Sequence, residues 1–329
     1  MQEKLAMYEG AVPEPARSVL RGLGQIFFQE NALTGICFAL GLLVSSPIIA
    51  LGGLAGAAIG TLTARLAKFP DGEIRAGLYG FNASLVGMVA FFFFLPGASS
   101  FGLLLVGSAV ATFLTRALRL YLPFPTYTSP FVLTAWVMFL LGPSLGAAWV
   151  GPGDPYTGRN VIMAVANGIS QVMFQANWLT ALLFVIGIAL SDWRHAVWVV
   201  AASAVGVLVA NYHVTPAQRA LDPERLVQRF LQENISMGLY SYNATLPALA
   251  LFLWRKSLIP ALLGVLISVP LTELVPMIGL PALTAPFILA TWIVLALGAF
   301  DERFLSGRIL GAAPPNGIQP STPPEASTS

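Results

Sequence analysis

Long apolar runs dominate this chain, interrupted by short loops that carry glycine, proline and the few charged residues. A helix needs about 20 mostly apolar residues to cross a bilayer, with a lower bound near 17. Loop signals divide the pattern into ten candidate spans, some of them short. Five lie near 32–46, 48–66, 80–95, 100–118 and 131–150, and five near 178–191, 194–211, 240–254, 257–273 and 285–300. Before each set lies a shorter stretch, Arg17 to Gln29 and Val165 to Gln175. Both are too short and too polar at their ends to cross. They read as half-membrane helices, tolerated only where protein or a water-filled cavity surrounds them.

Cytoplasmic loops are enriched in Lys and Arg. With the amino terminus inside, thirteen of the 17 basic residues fall on the cytoplasmic side, and both termini are expected there. The four exceptions are Arg159, Arg219, Arg225 and Arg229. Three of these share the segment from Asn211 to Met237, whose charged pattern predicts a surface helix.

The chain also repeats itself. Gln25–Gly35 (QIFFQENALTG) answers Gln171–Ala181 (QVMFQANWLTA), and Gly77–Leu85 (GLYGFNASL) answers Gly238–Leu246 (GLYSYNATL). Phe124–Phe131 (FPTYTSPF) answers Leu280–Phe287 (LPALTAPF). The offsets are 146, 161 and 156, so the second half carries its insertion between the first two motifs. Five spans per half is an odd number, so the expected fold is an all-α polytopic membrane protein of two inverted repeats. Each repeat has five transmembrane helices and one re-entrant half-helix, with a pore between the halves. The expected divisions are a polar segment 1–16, a first repeat 17–150, a second repeat 151–310 and a disordered tail 311–329.

Composition narrows the function. The chain is 56% hydrophobic and 10% charged, with a mean hydropathy of +0.76, so lipid must solvate most of it. A net charge of +2 with scattered basic residues leaves no footprint for nucleic acid. The single cysteine, Cys37, sits in an apolar run and reads as a packing residue. The first residues lack a secretory h-region, so the mature chain is expected to start near Met1. His195 and His213 stand alone near span ends, and Glu30 and Glu273 lie near helix ends, where a solvated or capping carboxylate is the simpler reading. No paired carboxylates fall within a predicted span to couple ions, and no catalytic or metal-binding constellation or cofactor motif is legible.

The paired signature Leu-Pro-x-x-Thr-x-Pro-Phe, complete at Leu280–Phe287 and with Phe124 in place of the leading Leu at Phe124–Phe131, resembles that of the urea transporter family. The resemblance extends over nearly the whole chain except its tails, and points to a bacterial member in the inner (plasma) membrane. It implies a homotrimer, a pore within each protomer, a central constriction between aromatic slabs, and rows of oxygen acceptors. The implied solute is urea or a similar small amide. A channel for ammonia, short amides or water stays open as an alternative, and an intramembrane enzyme is the weaker one.

Urea is planar and neutral, with four N–H donors and one carbonyl. Stripping one amide-like group of water costs roughly 2–7 kcal/mol if nothing replaces it. A pore then needs neutral acceptors in line and flat apolar walls. Thr128 and Thr284 are the expected midplane acceptors, each preceding a Ser/Ala-Pro step that disturbs the helix. The competing reading is back-bonding to a carbonyl one turn earlier. Gln25 and Gln171 on the half-helices would extend the acceptor row, unless they serve only to join helices. Phe28, Phe81, Phe174 and Tyr242 are the candidate slabs. Leu85 and Leu246, each four residues after its aromatic, and Val172 would complete the narrow passage.

Overall fold

The computed structural model describes residues 2–151, 160–219 and 233–305. The expected tail 311–329 and residues 220–232 of the expected surface helix lie outside them. The described chain is helical, and its one isolated β-bridge joins Phe94 to Trp149. In the first half the helices are α1 (Gln2–Ala11), α2 (Glu14–Gly24), α3 (Ala32–Ser45), α4 (Pro47–Leu66), α5 (Asp71–Arg75), α6 (Gly80–Phe93), α7 (Ala98–Tyr121) and α8 (Ser129–Leu141). The second half has α9 (Val161–Ser170), α10 (Trp178–Arg219), α11 (Tyr242–Arg255), α12 (Leu258–Leu274) and α13 (Ala285–Leu305).

Local chemistry explains how the short α2 and α9 stop. Each runs into a single tight turn, Gln25–Phe27 and Gln171–Met173, and then a left-handed residue, Phe28 (φ 59°) or Phe174 (φ 62°). The next N–H reaches back to a helix carbonyl, Gln29 to Gly24 at 3.0 Å and Gln175 to Ser170 at 3.2 Å. This satisfies acceptors that a helix end leaves open. Asn31 and Asn177 then cap the following helices by accepting from the N–H groups of Thr34 and Thr180, both at 3.0 Å. Between α2 and α3 the chain bends by 77°.

Among the described residues, five helical segments are long and apolar enough to cross a membrane, Pro47–Leu66, Ala98–Tyr121, Trp178–Tyr212, Leu258–Ile278 and Ala285–Phe304; the bent pair ending in α3 makes a sixth if it is one span. The expected spans 178–191 and 194–211 form one element, α10, broken only by extended backbone at Asp192. The span expected at 131–150 is shorter: α8 ends at Leu141, and Leu95 and Val150 instead bond the segments around Phe94 and Trp149. α6 and α11 have 14 residues each, about 21 Å at 1.5 Å per residue, against a hydrocarbon core of about 30 Å. They need not match it, because α6 is buried from Gly80 to Phe91 and α11 from Tyr242 to Leu251. Small residues allow this depth: a Cβ on Gly52 would lie 2.3 Å from the Gly87 carbonyl, and one on Gly56 2.2 Å from that of Ala83.

Equivalent positions of the two halves bond each other reciprocally. Thr34 donates to the Gly187 carbonyl at 2.7 Å, and its counterpart Thr180 to that of Gly41 at 2.8 Å. Trp136 donates to Pro281 and Trp292 to Pro125, both at 2.9 Å. Such exchange of i-to-j and j-to-i contacts is the mark of a two-fold relation.

Gly77 (φ 80°) and Gly238 (φ 82°) turn the chain into the inner helices against the half-helices. A Cβ on Gly238 would lie 2.3 Å from the Gly168 nitrogen. Left-handed backbone costs an alanine about 1–2 kcal/mol, and overpacking adds about 1–3 kcal/mol. Gly238→Ala is therefore expected to lower the detergent melting temperature and the monodisperse yield, whereas Gly72→Ala, with nothing within 4 Å, leaves both unchanged. Equal melting of the two variants would show that this turn tolerates a side chain.

Candidate functional site

The third pair of repeats lies where the halves meet. Pro130 and Pro286 sit in the first turns of α8 and α13, where a missing N–H costs nothing. Two residues before each helix, Tyr127 and Leu283 both take left-handed backbone at φ 44°. Two buried asparagines hold these breaks. Asn82 donates to the Tyr127 carbonyl at 3.2 Å and accepts from the Phe131 N–H at 3.2 Å. Asn243 does the same for Leu283 and Phe287, at 3.1 and 3.4 Å. Each side-chain amide thus replaces the helical partners that the break removes.

Between the breaks, the Thr128 and Thr284 hydroxyls meet at 2.7 Å, both buried. About two turns further on, Thr134 and Thr291 bond carbonyls four residues back, both at 2.8 Å. Thr128 and Thr284 instead direct their hydroxyls across the junction.

Aromatic rings flank the pair reciprocally. Phe28 lies 6.2 Å from Phe287 between centroids, and Phe174 lies 6.1 Å from Phe131. Tyr127 joins the first group, 5.9 Å from Phe28 and 5.2 Å from Phe287. Phe92 joins the second, 4.9 Å from Phe174.

A cavity of about 540 Å³ opens on the second-half side, and its lining includes Gln171, Val172, Phe174, Tyr242 and Thr284 among the expected residues. Gln25, Phe28, Phe81, Leu85, Thr128 and Leu246 do not line it. Gln25 donates to the Ala76 carbonyl at 2.9 Å, a helix-joining contact. Phe81, Leu85 and Leu246 are buried on the inner helices. The Tyr242 hydroxyl donates to the Leu283 carbonyl, so its polar edge is turned to the backbone.

Sequence reasoning missed Phe131, Phe287, Tyr127, Asn82 and Asn243. All stand inside the repeated motifs, and the position of each asparagine after an aromatic in both copies was the available signal. Glu273, expected to be solvated or capping, lines the cavity and accepts from Tyr240 at 3.0 Å. Tyr79, the counterpart of Tyr240, donates to Glu73, which also pairs with Arg116 and Arg119. Burial, then this carboxylate, raises the Tyr79 phenol well above its ordinary pKa. His195 meets the buried Gln29 side chain at 3.1 Å.

A helical chain with five or six membrane-spanning candidates among its described residues is an integral membrane protein. A sequence model of the urea transporter family matches residues 16–222 and 225–299, and the chain belongs to that family. It is similar to Urea transporter 1 of Ovis aries, 27% identical over 307 residues, which covers 85% of this chain and 76% of that protein. Urea transporter 1 of Mus musculus is 28% identical over the same shares.

Thr284→Val keeps the shape of the junction and removes one hydroxyl. An unmade hydrogen bond costs about 1–3 kcal/mol, so urea flux through reconstituted protein is expected to fall roughly tenfold while the protein still folds, with a melting temperature modestly lowered by loss of the bond to Thr128. Undiminished flux would assign the threonine pair to helix joining alone.

Proposed function

We propose that the protein conducts urea passively through a narrow passage between two inverted repeats. The observation that carries this reading is the Thr128–Thr284 hydroxyl pair, 2.7 Å apart at the junction of the halves, with aromatic groups on either side. Hydroxyls offer neutral acceptors to N–H groups without trapping ions, and ring faces admit a flat molecule. Family membership and the names of the relatives support urea as the solute.

In this reading Thr128 and Thr284 serve the narrowest point. Gln25 and Gln171 extend the polar row towards the mouths. Phe28, Phe81, Phe174 and Tyr242 supply ring faces, and Leu85, Leu246 and Val172 fill the walls. The reciprocal bonds support a two-fold relation between the repeats, and the distribution of Lys and Arg supports cytoplasmic termini. In this reading the protein is further a homotrimer with one passage per protomer, set in a bacterial inner membrane, as the motif resemblance implies.

Stopped-flow light scattering on proteoliposomes, comparing urea with ammonia, acetamide and glycerol at equal osmotic gradients, tests the solute. Urea is expected to be fastest, and an imposed proton or sodium gradient should leave its equilibrium distribution unchanged. Accumulation of urea above the outside concentration under either gradient would overturn passive conduction.

A further inference from the structure

We propose that Tyr127 is the specificity-determining residue of the first-half side, a ring that sets the width of the passage and a hydroxyl that bonds the passing solute. This inference rests on the conduction reading above. The two halves agree closely around the threonine pair and differ in where they place a phenol. In the second half the phenol belongs to Tyr242, whose hydroxyl is committed to the Leu283 carbonyl. The first half has Phe81 at that position and carries its phenol on Tyr127, where the second half has Leu283.

Backbone geometry is the same at both places, φ 44° with an asparagine on the carbonyl, so the difference lies in the side chains. Leu283, Phe174 and Phe131 face the 540 Å³ cavity. Tyr127, Phe28 and Phe287 do not line it, and their centroids lie within 6.2 Å of one another. On the first-half side Tyr127 adds a ring to Phe28 and Phe287, whereas on the second-half side Leu283 adds none to Phe174 and Phe131. The Tyr127 side chain is half-buried, and its hydroxyl bonds no protein group among the described residues. A phenol in such a place normally finds a partner, and a solute with N–H donors and a carbonyl supplies one from either edge.

The test uses full-length protein in liposomes and reads permeability to urea and to dimethylurea. Tyr127→Leu, which reproduces the second-half side chain, should raise the dimethylurea-to-urea ratio by roughly tenfold, the scale on which a pocket discriminates one or two methyl groups. Tyr127→Phe keeps the ring, so it should keep that ratio and lower urea permeability by about three- to tenfold, as for one lost hydrogen bond. Leu283→Tyr places a ring on the open side and should lower urea flux from an independent position. An unchanged ratio in assembled Tyr127→Leu, or undiminished urea flux in Tyr127→Phe, would overturn the assignment of width or of bonding respectively. Failure of the unmodified protein to pass urea at all would instead strike the conduction reading.

Discussion

Every buried backbone N–H and C=O must find a partner, and in a membrane no water is at hand to serve as a substitute. Among the described residues, helices break inside the protein after α2 and α9 and before α8 and α13, and much of the structure follows from how those breaks are satisfied. The half-helix ends close on themselves through left-handed phenylalanines, while the breaks before α8 and α13 rely on Asn82 and Asn243. An uncompensated amide at any of them would cost roughly 2–7 kcal/mol, a large share of the 5–15 kcal/mol that holds a folded domain together. The asparagines are therefore as much a part of the architecture as the apolar faces.

Enclosing the breaks also explains the unequal helix lengths. α6 and α11 carry the asparagines and are too short to span, yet Gly80–Phe91 and Tyr242–Leu251 are buried within the protein. The longer α7 and α12 form the outer layer, where Leu105, Val106 and Phe113, and Leu258, Ile259 and Leu266, are exposed as lipid-facing residues should be. A broken inner layer can hold polar groups only because an unbroken outer layer surrounds it.

Much of this was legible in the sequence because repetition filters out chance. Helices α3, α6 and α11 lie close to the apolar runs predicted at 32–46, 80–95 and 240–254, at Ala32–Ser45, Gly80–Phe93 and Tyr242–Arg255. The span through Trp149 was misread because an apolar run has no marker for where helix gives way to a bridge, and the run beyond Leu141 packs Trp149 on Phe94 in extended form. Thr128 and Thr284 could be paired from their motifs, but not their direct contact, since no spacing rule relates residues 156 positions apart. Tyr127 was invisible for the opposite reason: reading by repeat symmetry rewards what the halves share, and this residue is where they differ.

The threonine pair also bears on how a passage can hold polar groups at reduced cost when empty. A hydroxyl has one donor and two acceptor sites, so two of them at 2.7 Å satisfy one of their two donors and leave one donor and acceptor capacity over. On the proposed pathway, an arriving N–H takes a lone pair already facing it, and the hydroxyl-to-hydroxyl bond need not break first. When the solute leaves, the pair remains bonded. A lone buried threonine would lack that fallback and would turn to its own helix, as Thr134 and Thr291 do. A carboxylate would hold the solute, or a cation, too tightly for rapid release. The paired neutral hydroxyl lies between these limits, with net hydrogen bonds of about 0.5–1.5 kcal/mol each, weak enough to exchange quickly and sufficient to offset part of the water that a small amide must leave behind.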